Sequence, residues 1–210
     1  MEVPRMRIGA NLGPTGDWPA MLAAAETADT IGFDALGFLD HYHTDKLEWP
    51  YLCGWSAYGA LAMATSRIHL VPLVIDRLNY LPGVLAKETS TLSILSKGRF
   101  ELGIGARDYF QEARAWGLPI PDTSARITGL KETVMVLRRI WRGEQVTFEG
   151  EQLHLTNAAS TPIPPTPPRV IIGAGSSRRL ISSAVEYADE VNVYADDDII
   201  RFARQTIEIS

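Results

Sequence analysis

Cysteine is nearly absent: the 210-residue chain carries one, Cys53, which excludes an internal disulfide and any multi-cysteine zinc site and suits a reducing, cytoplasmic setting. Long apolar runs are missing too. No stretch approaches the roughly 20 residues of a membrane span, and Gly, Asn and Pro interrupt the opening residues before the apolar core of a leader develops. A soluble protein with no membrane contact is expected. Basic clusters are scarce: Lys and Arg total 20 against 25 Asp and Glu, a net charge of −5, and the densest basic spots, Arg138, Arg139 and Arg142, then Arg178 and Arg179, fall on predicted helices. That balance speaks against a nucleic-acid partner. Also absent are a nucleophile elbow, a P-loop lysine and a Cys/His pair. Covalent catalysis is therefore not expected, and any hard chemistry belongs to a bound cofactor.

What is present is a globular composition, 46% hydrophobic and 21% charged, with enough apolar side chains for a sizeable core; the length suits one large domain or two small ones, and the chain is read as a single domain spanning residues 1–210. Short runs rich in Val, Ile, Leu and Phe at 7–12, 35–39, 68–75, 99–104, 169–172 and 190–194 read as buried parallel strands. Helices are predicted between them: one capped by Asp17 with Pro19 in its first turn and Gly32 as its stop, one opened by Pro82 and closed by Gly98. A third runs over 124–142, with Ser124 as its cap and Ile127, Leu130, Val134, Leu137 and Trp141 at helical spacing. Strand alternating with helix gives a parallel α/β architecture, either an open doubly wound sheet or part of a (βα)8 barrel. Residues 145–155 alternate in the strand manner around Glu149 and Gly150, which predicts an inserted hairpin. The Pro-rich stretch 161–168 that follows cannot be helical.

In either architecture a ligand sits at the carboxyl edge of the sheet, so the strand ends hold the candidate chemistry. The second strand runs into Asp40, His41, Tyr42 and His43. His41 and His43 between Asp40 and Asp45 admit a metal reading, but the helical HExxH spacing is absent; a histidine paired with a carboxylate in a cleft better suits a proton or hydrogen-bond donor. Loop histidines in plain water are the bland alternative. The third strand ends near Asp76 with Asn79 beyond it. Gly173, Ala174, Gly175, Ser176 and Ser177 join a strand to a helix, where small residues let backbone N–H groups approach an anion. A tight turn without ligand explains the same residues, and a dinucleotide fingerprint would need glycine where Arg178 stands. Gly103, Gly105 and Arg107 form a second, weaker phosphate candidate. Trp49, Tyr51, Trp55 and Tyr109 are candidates for an aromatic pocket lining.

The run from Ser96 to Leu155, which contains GIGARD, followed by the run from Pro167 to Val193, which contains GAGSSR, resembles the bacterial luciferase-like oxidoreductases. The resemblance extends from about Arg7 to Ala195. It implies a (β/α)8 TIM-barrel type fold with an insertion after the fourth strand, and a cofactor at the carboxyl ends of the strands: the deazaflavin coenzyme F420, with flavin mononucleotide (FMN) as the alternative. Residue by residue, Asp40 and His41 match the Asp-His pair of the deazaflavin-dependent members, with His41 beside the reactive ring and Asp40 orienting it. Asn79 matches a polar residue near the ring edge, and Gly173, Ala174, Gly175 and Ser176 match the loop that holds the cofactor phosphate.

Two departures stand out. Arg107 and Asp108 replace a common Gly and Trp, and two βα units are missing, which leaves an incomplete barrel of about six parallel strands with two bare edges. A homodimer or a partner subunit is expected to cover them. The activity implied is hydride transfer on a small-molecule substrate, with an FMN-dependent monooxygenase or a non-catalytic flavin-binding subunit as alternatives.

Overall fold

The structure, a computed structural model, describes residues 6–13, 15–42 and 50–209. Short parallel strands alternate with helices along the chain. β1 (Gly9–Asn11) and β2 (Ala35–Gly37) flank α1 (Trp18–Ile31), and β3 (His69–Leu70) follows α2 (Gly54–Ala64). β4 (Ile75–Asp76), α3 (Pro82–Leu95), β5 (Leu102–Gly105), α4 (Phe110–Ala115) and α5 (Thr123–Ile140) come next. The chain then forms the antiparallel pair β6 (Val146–Glu149) and β7 (His154–Ala158), and ends with β8 (Val170–Gly175), α6 (Arg178–Ala184), β9 (Glu190–Val193) and α7 (Asp197–Ile209).

Helix boundaries follow from local chemistry. The Asp17 carboxylate accepts the Ala20 N–H at 3.1 Å, and Gly32 closes α1 at φ 105°, a left-handed conformation glycine adopts without strain. At the head of α5 the cap is Asp122, which accepts the Ala125 N–H at 2.9 Å. Ser124 was the expected cap; both residue types can do this, and here Asp122 is the one with extended backbone just before the first helical turn. The predicted stripe of α5 is buried. Ile127, Leu130, Val134, Leu137 and Trp141 all join the core, and Trp141 donates its indole N–H to Thr89 Oγ1 on α3 at 3.1 Å. The 145–155 hairpin is present and extends to Ala158.

The third predicted strand is a correction. Residues 68–75 do not form one strand but two, β3 pairing with β2 and β4 pairing with β5, so the parallel strands fall into two sheets, ordered β1-β2-β3 and β4-β5-β8-β9. Pro72 lies at the break, where it offers no N–H to a ladder. The neighbouring amides are satisfied one by one instead, Val71 N on Leu36 O at 2.9 Å and Leu73 N on Phe38 O at 3.2 Å. A bridge between Leu70 and Phe100 links the sheets, so the strands follow one another in barrel order. Three glycines on β5 and β8 leave space inside that Val74 occupies: a Cβ on Gly105 would come within 2.9 Å of it, and one on Gly173 within 2.7 Å.

β1 pairs with β2 alone and β9 with β8 alone among the described residues, so the barrel is incomplete between them. A cavity of about 270 Å³ opens there, lined among others by Gly9, Asn11, Leu73, Ile171 and Asn192. At its amino end, Glu101 ties strand starts together. It lies 2.7 Å from Arg7 and 2.7 Å from His69, with Arg169 at 3.7 Å. Burial pushes the Glu101 carboxyl up, but hydrogen bonds from His69 and Arg7 outweigh it and hold the group below its ordinary range.

Candidate functional site

The parallel register sets Asp76, Gly105 and Gly173 level with one another, and Asn11 level with Gly37, at the carboxyl edge. The segments leaving that edge carry the candidate side chains. His41 and Asp40 follow β2, Asn79 ends a short 3-10 turn after β4, Arg107 follows β5, and Gly173 to Ser177 lie at the end of β8.

His41 and Asn79, and Arg107 through Asn79, are joined by a side chain that the sequence did not single out, whereas Asp40 bonds elsewhere and no contact ties Gly173 to Ser177 into this network among the described residues. Glu112, 3% exposed on α4, accepts hydrogen bonds from the Tyr42 N–H at 2.9 Å and the Asn79 amide at 2.9 Å, and lies 3.3 Å from His41 Nδ1. Asn79 in turn accepts a hydrogen bond from Arg107 through its Oδ1, and Arg107 Nε lies 2.7 Å from Asp76. The chain His41–Glu112–Asn79–Arg107–Asp76 is continuous. No local signal marks Glu112, since its partners stand about 30 to 70 residues away in sequence and α4 is an ordinary short helix.

Asp40 was expected to orient His41, and its bonds run elsewhere. Its carboxylate accepts the Gly54 N–H at 3.0 Å and the Tyr80 hydroxyl at 2.6 Å. Burial pushes the Asp40 carboxyl up against both of those bonds, so the group anchors the start of α2 and the Tyr80 ring. The carboxylate on the His41 ring is that of Glu112. With Nδ1 donating to it, Nε2 is left as the nitrogen able to exchange a proton with a ligand.

Aromatic rings surround the imidazole. Tyr51 and Tyr109 meet His41 edge-on at 5.3 and 5.4 Å between centroids, and Trp55 packs on Tyr80 at 5.5 Å. Tyr42 and Tyr80 share a hydrogen bond between their hydroxyls. Burial raises both phenols, so neither ionises near neutral pH. His43, Asp45 and Trp49 lie outside the described residues; among the described residues no group of three or more His, Cys, Asp or Glu could hold a metal ion.

Arg107 is the strained member of the site. Its φ of 70° is a left-handed conformation that a non-glycine residue holds at a cost of about 1–3 kcal/mol. Its side chain is fully covered, and its Nη1 has no acceptor among the described residues. The buried indole N–H of Trp55 has none either. Buried donors left bare cost about 1–3 kcal/mol each, so both suit a bound group that offers acceptor atoms, such as the carbonyl oxygens and ring nitrogens of a deazaflavin or flavin. Burial also raises the partner Asp76 to about 6, outweighing the Leu78 N–H and the Arg107 guanidinium. A raised carboxyl binds more protons folded than unfolded, so its stability contribution is fully present below about pH 4 and lost as pH rises through about 6.

The small-residue segment is also a correction. Gly173 to Gly175 are not a loop beyond the strand but its last residues, in register with Asn192 and Val193 of β9. Their small size has an internal reason. A Cβ on Gly173 would strike Val74, and Gly175 sits at φ 54° with Tyr194 3.1 Å from where a Cβ would be. Ser177 caps α6, accepting the Leu180 N–H at 3.3 Å. The N–H groups of Arg178 and Arg179, in the first turn of α6, have no intrahelical acceptor.

Comparisons with known proteins bear on the family and the fold. The family described as luciferase-like monooxygenase matches residues 5–208. A curated F420-dependent glucose-6-phosphate dehydrogenase of Nakamurella multipartita is 33% identical over 179 residues, covering 83% of this chain and 52% of the relative. The like-named protein of Kineococcus radiotolerans is 34% identical over 156 residues, 72% of this chain and 45% of the relative. The chain thus spans about half the length of these curated relatives. Among solved structures, an F420-dependent secondary alcohol dehydrogenase in complex with an F420-acetone adduct superposes with a TM-score of 0.86 at 22% identity, covering 98% of this chain and 65% of that one. The FMN-bound oxygenating constituent of 3,6-diketocamphane monooxygenase from Pseudomonas putida superposes at 0.79 and 20% identity, covering 97% and 62%. At those identities the superpositions establish the TIM-barrel type fold alone. From its sequence match over nearly all its length, this chain belongs to the luciferase-like monooxygenase family.

Proposed function

We propose that the chain is the cofactor-binding part of an oxidoreductase that moves a hydride between coenzyme F420 and a small organic substrate, with His41 as the catalytic proton-transfer residue. The observation that carries this is the imidazole held through Nδ1 by buried Glu112 at the carboxyl edge, beside the bare donors of Arg107 and Trp55. When bound, the deazaflavin supplies a ring carbon that accepts or returns a hydride. The protein's residues do the rest. Nε2 of His41 takes the hydroxyl proton of an alcohol as its carbon is oxidised, or gives it back in the reverse direction. Glu112 holds the ring in the tautomer with Nδ1 protonated and stabilises the imidazolium that forms. Asp40 and Tyr80 fix the chain on which His41 is mounted. Asn79, Arg107 and the segment Gly173, Ala174, Gly175, Ser176 and Ser177 are the residues that would hold the cofactor.

The Asp40-His41 pair and the names of the curated relatives support the deazaflavin over FMN. Side-by-side fluorescence titration is expected to give a dissociation constant for F420 at least tenfold below that for FMN; equal or tighter FMN binding would reverse the assignment and favour a flavin monooxygenase.

The same reading includes a partner, a second copy of the chain or another subunit, beside the edges of β1 and β9 that are unpaired among the described residues, in a cytoplasmic setting that suits the exposed thiol of Cys53. Light scattering at low micromolar concentration is expected to return a dimer. A monodisperse, heat-stable monomer would defeat that part.

A further inference from the structure

Resting on the proposed function, which makes His41 the proton-transfer residue, we infer that Arg107 is a positioning residue: acting through Asn79 and Glu112, it decides which ring nitrogen of His41 carries the proton. The unit begins at the end of β4. Asp76 uses one carboxylate oxygen to cap the 3-10 turn Arg77–Asn79, accepting the Leu78 N–H at 2.8 Å, and the other to meet Arg107 Nε at 2.7 Å. One carboxylate thus locates both the turn that carries Asn79 and the guanidinium that faces it. Arg107 reaches this place from a backbone φ of 70°, where glycine would sit without strain, and its side chain is fully covered. Such strain persists only where the surrounding contacts outweigh it, and here those contacts are made by the guanidinium.

What the guanidinium fixes is the amide of Asn79. Arginine has donors alone, and Arg107 donates through Nη2 to Asn79 Oδ1. The amide therefore turns its NH2 group to the other side, where it donates to Glu112 Oε1 at 2.9 Å. The Tyr42 N–H holds the second oxygen, Oε2, at 2.9 Å, and His41 Nδ1 lies 3.3 Å from that same oxygen. With a donor on each oxygen the carboxylate plane is set, and Oε2 stays aimed at Nδ1. Which nitrogen of a histidine is protonated follows from the bond the ring makes, so the tautomer of His41 is settled from Arg107, through Asn79 and Glu112. Lysine would neutralise Asp76 but has no fork: a single ammonium cannot reproduce the paired Nε and Nη2 contacts. This role is separate from that of Nη1, which has no acceptor among the described residues and stays available to the cofactor.

The test is NMR of the isotope-labelled chain, reading the tautomer of His41 from its ring-nitrogen shifts above the imidazole titration, with the signals assigned by their loss in His41→Ala. The parent is expected to hold the proton on Nδ1. In Arg107→Lys and Asn79→Asp, each checked by circular dichroism, the ratio of Nδ1-protonated to Nε2-protonated ring is expected to fall by about tenfold, the scale of one hydrogen bond to a charged group. Lysine keeps a charge opposite Asp76, and aspartate keeps the shape of Asn79 while turning an oxygen toward Glu112, so a purely structural role would leave the tautomer unmoved. An unchanged ratio in either variant overturns the inference, and so does a parent ring protonated on Nε2. Arg107→Met takes the place of the lysine variant where that does not fold; if neither folds, Arg107 is a folding residue and the inference falls. A separate F420 titration keeps the two readings apart. Loss of the tautomer in Arg107→Lys without F420 binding to the parent leaves this inference standing and removes the proposed function; F420 binding with an unchanged tautomer does the reverse.

Discussion

Replacing His41 with alanine is expected to lower turnover by about 10²–10⁴-fold, the usual contribution of a positioned acid or base, while the dissociation constant for F420 changes by no more than about threefold. The split follows from where the imidazole is held. Its Nδ1 side faces Glu112, and its ring sits between Tyr51 and Tyr109, so the atom left for chemistry is Nε2, and its bond strengthens as charge develops on the substrate oxygen. Asn79 and Arg107, proposed to hold the cofactor, keep their own bonds to Glu112 and Asp76 when the imidazole is removed. Steady-state kinetics with a parallel binding titration decide the matter. If affinity and turnover fall together, His41 is a binding or folding residue and the proton must move elsewhere.

The largest expected effect on stability comes from a residue with no side chain. Gly103→Ala is expected to destabilise the fold by about 3 kcal/mol or more, enough to lower the melting temperature by roughly 6–12 °C in a domain of this size. Its Cβ would lie 1.8 Å from the carbonyl oxygen of Pro72 and 2.9 Å from its carbonyl carbon. Both are backbone atoms, so relief requires moving a chain segment rather than rotating a side chain. That segment joins β3 to β4 and also places Val74, which fills the space beside Gly105 and Gly173. Thermal unfolding of the variant beside Gly83→Ala, where nothing lies within 4 Å of the added carbon, provides the control. A Gly103→Ala protein that melts with the parent would mean that the strand packing is looser than this geometry.

The same neighbourhood shows how much the sequence could disclose. Apolar runs and caps located the parallel strands, α1, α5 and the hairpin, because those signals are local: Asp17 before Pro19, Gly32 after the Ala-rich helix, alternation on either side of Gly150. The split of the third strand was also written there, since a proline inside an apolar run argues against an unbroken ladder. The glycines were ambiguous by nature. A small residue at the end of β8 suits an approaching anion and an approaching Val74 equally well, and three-dimensional position alone distinguishes them. Asp40 and His41 announced the site by being neighbours in sequence, yet adjacency misidentified the carboxylate that serves the histidine. Glu112 reaches His41 from 71 residues away, a contact that folding creates and no spacing rule foretells.

One consequence follows from the handover at Pro72. The first three strands and the remaining parallel four form separate ribbons, and the site lies across the join. Tyr42 and His41 on one side hold Glu112 on the other, and Tyr80 on the second reaches back to Asp40 on the first. A ligand held by residues of both ribbons would therefore staple the halves of the barrel to each other. Occupancy and cohesion become one equilibrium: a ligand at one hundred times its dissociation constant adds about 2.7 kcal/mol, delivered at the seam where the backbone ladder is interrupted.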